Sequence, residues 1–241
     1  MACFDHELRE IVLRIVYDGA ATAGKTANLR SLHESFSARA RGDFHVPEET
    51  ATGRTLYFDW LELHAGYVED WPLRCQLLTV PGQLTLAERR FRLLRGIDAA
   101  VLVCDSSPAG VRAGRVAWVF LEKVLAATGN AETPILVQAN KQDLPGALSP
   151  AEIEERLGVG RRVLPASALS GDGVRTTFLA ALAAARDRLR AALRDRGPEE
   201  LPPHVESAEQ VYTAMLAEEE APPDPEIAEA LEAALSAVER G

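Results

Sequence analysis

Eight residues, Gly19-Ala20-Ala21-Thr22-Ala23-Gly24-Lys25-Thr26, have the types and spacing to grip a polyphosphate. They read G-x-x-x-x-G-K-T, follow an apolar run at residues 11–17, and precede Leu29, Leu32, Phe36 and Ala40 at helical spacing. That predicted strand–loop–helix context is the one in which this pattern builds an anion site. Loop N–H groups and the first turn of the helix converge on one spot. Lys25 adds a point charge for β- and γ-phosphates, and the Thr26 hydroxyl is a hard oxygen ligand for Mg²⁺. The competing reading of so short a pattern is a chance Gly-rich turn that ends a strand, and the flanking elements weigh against it.

A second set, Asn140-Lys141-Gln142-Asp143, follows a predicted strand at 135–139. At the C-terminal end of a strand it sits on the edge where doubly wound sheets bind ligands. A carboxylate there can accept from both the ring N–H and the exocyclic amine of guanine. Adenine presents no such pair and would leave the carboxylate unsatisfied. The Lys141 stem can lie over a purine face, and Asn140 can tie this loop to the phosphate loop. Alone, N-K-x-D is more often a polar turn; paired with the first motif it becomes a strong signal.

The elements that must position these loops alternate strand and helix, the pattern of a mostly parallel sheet with helices on both faces. After the first strand and helix, residues 41–53 are a polar, Gly/Pro-containing stretch. Residues 55–63 read as a strand, 64–67 as a turn and 73–80 as a returning hairpin partner. Pro81-Gly82 ends that strand, and a basic helix is expected over 84–95. The continuous apolar run 99–104 reads as a strand buried on both faces. A helix over 111–127, a helix opened by Ser149-Pro150, a short strand at 162–164 and a helix over 173–196 complete the body. Phe178, Leu182, Leu189 and Leu193 form the inward stripe of the last helix.

Charge separates body from tail. Residues 198–241 hold 12 of the 36 acids and one of the 26 Lys and Arg residues, so the tail carries −11 and residues 1–197 carry +1. A near-neutral body gives no electrostatic footprint for nucleic acid. The expected division is a domain at 1–197, a stiff Pro-rich linker at 198–204 and an acidic amphipathic-helical tail at 205–241. The tail's first helix would carry Val205, Ala208, Val211, Tyr212 and Met215 on one side; the second would carry Ile227, Leu231, Leu235 and Val238. The three cysteines make neither a disulfide framework nor a metal site. No signal pattern, spanning segment or lipidation motif appears, so a cytoplasmic protein without a stable membrane anchor is expected.

The two motifs together resemble the Ras-like small GTPases over about residues 10–196. Within them the chain looks most like the bacterial MglA-type polarity and gliding-motility GTPases. That closer likeness rests on Lys25-Thr26-Ala27-Asn28-Leu29, on Arg54-Thr55-Leu56-Tyr57-Phe58-Asp59 and on Thr79-Val80-Pro81-Gly82-Gln83. The resemblance implies a P-loop Ras-like fold, GTP and GDP with Mg²⁺ as ligands, and slow hydrolysis. It assigns the nucleotide to Gly19, Ala21, Ala23, Gly24, Lys25, Thr26, Thr55, Gly82, Asn140, Lys141, Asp143, Ser167, Ala168 and Leu169. Thr26 and Thr55 would hold the metal, with Thr52 and Thr50 competing for the role of Thr55. Gln83 matches the water-orienting glutamine, and Arg54 matches an arginine supplied in cis to neutralise transition-state charge. The alternative for Arg54 is a solvated loop charge.

Three positions depart from the family pattern. Thr79 replaces the switch II aspartate that holds Mg²⁺ through water, which weakens metal binding unless Asp59 compensates. Ala21 adds a methyl where the family has glycine, and small displacements there are costly to catalysis. Leu169 replaces the lysine of the third base-contact motif. A roadblock-type homodimer is the activating partner the resemblance implies. For the tail, a solvated appendage competes with docking onto the body, where Arg89, Arg90, Arg92 and Arg95 offer an acceptor. The alternative function is a hydrolysis-impaired, nucleotide-bound scaffold whose tail engages a partner.

Overall fold

The computed structural model describes residues 2–46, 58–82, 87–194, 197–203 and 205–218, with a few isolated positions beyond. Its strands are β1 Cys3–Asp5, β2 Glu10–Asp18, β3 Arg41–His45, β4 Trp60–Val68, β5 Trp71–Thr79, β6 Ala99–Asp105, β7 Ile135–Asn140 and β8 Val163–Pro165. Its helices are α1 Lys25–Ser35, α2 Ala87–Leu94, α3 Pro108–Ala127, α4 Pro150–Leu157, α5 Val174–Leu193 and α6 Ala208–Glu218. The strands form one sheet in the order β3-β4-β5-β2-β6-β7-β8, with β1 antiparallel to the start of β2. From β5 to β8 every pairing is parallel; β4 pairs antiparallel with both β3 and β5.

Alternation along β2 explains the two-sided core. Ile11, Leu13, Ile15 and Tyr17 face α1 and α5, whereas Val16 faces α2, α3, α4 and α6. A strand covered on both faces has no polar position to spare, hence its near-continuous apolar sequence. Helix starts follow local chemistry. Ser107 caps α3 by accepting from Gly110 N, with Pro108 just inside. Ser149 and Glu152 form a reciprocal capping box at α4.

Several elements differ from the sequence reading. Residues 64–67 do not turn: β4 runs through them to Val68, with a register irregularity between His64 and Tyr67, and the chain reverses at Glu69–Asp70. The glycine that looked like a turn is accommodated by a bulge. Residues 41–45, the start of the polar stretch, are an edge strand; half-exposed edge positions tolerate its polar residues. Helix α1 stops at Ser35, because Phe36 is extended (φ −99°, ψ 150°) and packs edge-on against Phe178 at 5.7 Å. Ala40 is therefore outside the helix. β1 has no counterpart in the sequence reading. Residues 55–57 of the expected strand, 84–86 of the expected basic helix and most of the tail's second helix lie outside the described residues.

The first tail helix docks on the body. Ala208, Val211, Tyr212 and Met215 are buried in the same cluster as Phe91 and Leu94 of α2 and Trp118 and Leu121 of α3. The segment expected as a linker makes a 3₁₀ turn at Pro198–Glu200, buries Leu201, and accepts a hydrogen bond from Phe4 N at the Pro202 carbonyl, 2.9 Å.

Candidate functional site

The C-terminal ends of β2, β5, β6, β7 and β8 lie on one edge of the sheet, and the loops after β2, β5, β7 and β8 carry candidate residues. From β2 the chain enters Gly19–Gly24 and then α1. Gly24 is left-handed (φ 101°), and a Cβ there would collide with Nδ2 of Asn140. Glycine is what lets the loop and the base-side strand touch. Thr22 also holds a positive φ of 63°, backbone strain of the kind found at ligand-gripping loops.

Asn140 joins the two motifs. Its Nδ2 donates to the Ala23 carbonyl at 2.8 Å, and its Oδ1 accepts from Ala168 N at 2.8 Å. One buried side chain thus ties the phosphate loop to the loop after β8. Beneath it, Gln138 Nε2 donates to Asn28 Oδ1 at 3.0 Å, and Asn28 Nδ2 donates to the Gly24 carbonyl at 2.9 Å. Buried amides in an apolar core are expensive unless satisfied. Here they fix the loop from below.

On the base side, Lys141 is held at a positive φ of 67°, and its Nζ lies 2.6 Å from Asp105 Oδ2. Burial pushes the Asp105 carboxyl up, but hydrogen bonds from Lys141 and Ser107 outweigh it and leave the group below its ordinary value. Asp143 is exposed and makes no hydrogen bond or ion pair with any described residue. Ser167 and Ala168 are buried, while Leu169 is 90% exposed.

On the phosphate side, Lys25 Nζ donates to the carbonyls of Gly19 (2.9 Å) and Ala20 (2.8 Å). Burial lowers its pKa to about 8; Asp18 and Asp59 pull it up, and Arg90 pushes it down. Thr26 Oγ1 donates to Asp59 Oδ2 at 2.6 Å, and Thr79 Oγ1 donates to the same oxygen at 2.8 Å. Asp59 N in turn donates to Thr79 Oγ1 at 2.9 Å. A carboxylate from the residue just before β4 thus lies beside both Thr26 and Thr79. This oxygen set suits Mg²⁺, which keeps several waters and takes few protein ligands. Among the described residues no cluster of three His, Cys, Asp or Glu could hold a metal alone.

Gly82 reaches the loop from β5. A Cβ on it would collide with Ala21 N and the Ala20 carbonyl carbon, so backbone rests on backbone there. The expected positions Gln83, Arg54 and Thr55, with the rivals Thr50 and Thr52, lie outside the described residues. Two residues to which the sequence assigns no role at the site stand under the loop. Asp18, fully buried, accepts from Gly19 N at 2.7 Å and from Arg90 at 2.8 and 3.0 Å. Arg90 also lies 4.3 Å from the ring centroid of Phe120. A carboxylate ending an apolar strand was the signal available for Asp18. Arg90 therefore points away from the tail, unlike the acceptor role its position in the basic segment implied.

The ADP-ribosylation factor family matches residues 68–184. The mutual gliding-motility protein MglA of Myxococcus xanthus is 35% identical over 185 residues, covering 75% of this chain and 93% of that protein. The chain belongs to the Arf/Ras-like small GTPase family. The human ADP-ribosylation factor-like protein 4C is 31% identical over 169 residues, 67% of this chain and 81% of its own length. The human protein 4D of the same series is 41% identical over 95 residues, 39% of this chain and 45% of its own. The expected fold and the GTP-binding class both stand on these likenesses. The family match stops short of the tail. Among the described residues no helix is long and apolar enough to cross a membrane.

Proposed function

We propose that this GTP-binding family member is a switch that hydrolyses GTP slowly, aided by a roadblock-type homodimer, in bacterial cell polarity or motility. The observation that carries the reading is the two-ended hydrogen bonding of Asn140, with the exposed Asp143 carboxylate, unpaired among the described residues, three residues on. It gives one rigid frame a phosphate grip and a base selector. Polarity and motility rest on the likeness to the gliding-motility protein and on its name alone.

Mg²⁺ bound with the nucleotide would offset phosphate charge at this site. Thr26 would hold it, joined by Thr55 as the resemblance implies, and Asp59 keeps a carboxylate beside Thr26. Lys25 supplies charge to the phosphates when it leaves the loop carbonyls. Gln83 orients the attacking water and Arg54 offsets transition-state charge, both roles carried by the resemblance. The Ala21 methyl and the Gly82 contact crowd the same corner, which favours slow turnover. Cycling between ordered and released loops is how such a site becomes a switch.

The test is nucleotide carried through purification, followed by phosphate release with and without a roadblock-type dimer. Co-purified guanine nucleotide and a dimer-accelerated release are expected. Protein that ignores labelled GTP and GDP in Mg²⁺ would remove the reading. The scaffold alternative draws on the docked α6, and is distinguished by bound nucleotide with no release under either condition.

A further inference from the structure

Helix α6 is fixed to the body by a residue outside the helix. Glu206 places Oε2 3.0 Å from Arg14 on β2 and Oε1 3.4 Å from Arg92 on α2. Its carbonyl accepts from Gln76 Nε2 of β5 at 2.9 Å, and Gln76 Oε1 accepts from Arg14 at 3.0 Å. Ser207 and Gln210 then exchange hydrogen bonds, backbone to side chain in both directions, which starts the helix at a fixed point. Arg95 and Val205 line the cavity of about 240 Å³ beside this anchor.

α2 carries the two arginines that matter on different sides. Arg90 and Arg92 are two positions apart, about 200° around the helix. Arg90 reaches in to Asp18 beneath the phosphate loop; Arg92 reaches out to Glu206. The helix that follows the second switch is thus held between the nucleotide loop and the tail. Displacing it disturbs both attachments together.

We propose that residues 205–218 are a strap across α2, with Glu206 as its catch, which slows nucleotide release by holding Arg90 against Asp18. The strap rests on the nucleotide-switch reading given above. The contact described is modest: four buried apolar side chains of α6, the partly exposed Glu206 carboxylate and the Glu206 carbonyl bonded by Gln76. Tethering keeps it closed: a short linker gives an effective concentration of about millimolar without new contacts. Because coupling between two sites is reciprocal, nucleotide loading must also change how firmly α6 sits.

The test uses the full chain with Glu206→Gln, which opens the catch, and Val211→Asp, which opens the apolar side. Thr213→Lys, on the exposed face of α6, is the control. Both opening variants are expected to raise hydrogen exchange across 208–218 with the body unchanged, and to speed release of a fluorescent GDP about fivefold or more. The control leaves both readouts at wild-type values. If α6 opens while release stays within about twofold of wild type, the strap has no hold on the site and the proposal falls. Failure of wild type to bind any guanine nucleotide would take down the switch reading and the strap with it, and is recognised before any variant is made.

Discussion

Thr26 Oγ1 and Asp59 Oδ2 lie 2.6 Å apart, so the hydroxyl at the helix start and a carboxylate from a strand 33 residues later share one proton-mediated contact. The same oxygen also accepts from the hydroxyl of Thr79, the position where the resemblance would have an acid. Asp59→Asn keeps the shape and removes the charge. It is expected to weaken Mg²⁺ binding about 10–100-fold, the usual loss when a supporting group beside a metal is changed. Titrating Mg²⁺ into nucleotide-loaded protein after chelation, and reading nucleotide release, checks this. Unchanged half-saturation would assign the carboxylate to holding β4 alone.

Asp143 predicts base selectivity. A charged acceptor facing two guanine donors is worth most by what it refuses, since adenine leaves it unpaired. Asp143→Asn is expected to cut the preference for GDP over ADP about 100-fold or more, with phosphate contacts intact. Competition binding with the two diphosphates measures it. Retained preference would shift selection to the Ala168 backbone.

Ala21 and Gly82 predict opposite effects on turnover. Ala21→Gly relieves the corner where the second switch meets the loop, and single-turnover hydrolysis is expected to rise about tenfold. Gly82→Ala puts a methyl into the Ala20–Ala21 backbone and is expected to abolish turnover with little loss of GDP affinity. No acceleration in the first variant would remove the crowding argument.

The site's legibility depended on chemistry that is local in sequence. Gly24, Lys25 and Thr26 announce themselves because their roles come from spacing along one loop, and Asn140 because it ends a strand. The same holds for the core strands, whose burial on both faces leaves an unbroken apolar run. Asp18 with Arg90, and Gln138 with Asn28, were not legible. Each is a pair brought together across 72 or 110 residues, and one member alone reads as an ordinary polar residue. The bulge between His64 and Tyr67 was misread for a related reason: glycine in a strand and glycine in a turn look alike until the partner strand is placed.

Lys25 predicts a pH dependence. Its pKa in the unliganded protein is lowered to about 8, chiefly by burial, and an anion on the loop favours its charged form. Below pH 8 the lysine is already protonated and affinity is flat in this group. Above pH 8 binding takes up a proton, so affinity falls as pH rises, by up to about tenfold per unit. The unliganded fold shows the opposite trend. Between about 8 and the ordinary value of 10.5 the unfolded chain holds a proton that the folded one has shed, so this group makes stability rise with pH. Calorimetry in buffers of different ionisation enthalpy reads the proton uptake directly. Zero uptake at pH 9 would place Lys25 away from the phosphates.

Asp18 and Arg90 separate stability from function. Their side chains are 0% and 1% exposed, and the pair sits under the loop against Phe120. Removing one member strands the other as a buried charge, so Arg90→Met is expected to cost about 3–5 kcal/mol. Replacing both with apolar residues abolishes that penalty. The double variant Asp18→Val with Arg90→Met is expected to regain most of the loss, since a packed apolar pair often equals or exceeds a buried ion pair. Urea unfolding of the four proteins gives the coupling as a double-mutant cycle. If stability returns in the double variant while nucleotide affinity does not, the pair is there to fix Gly19 N and α2 at the phosphate loop. A double variant as unstable as Arg90→Met alone would instead make the ion pair a structural necessity.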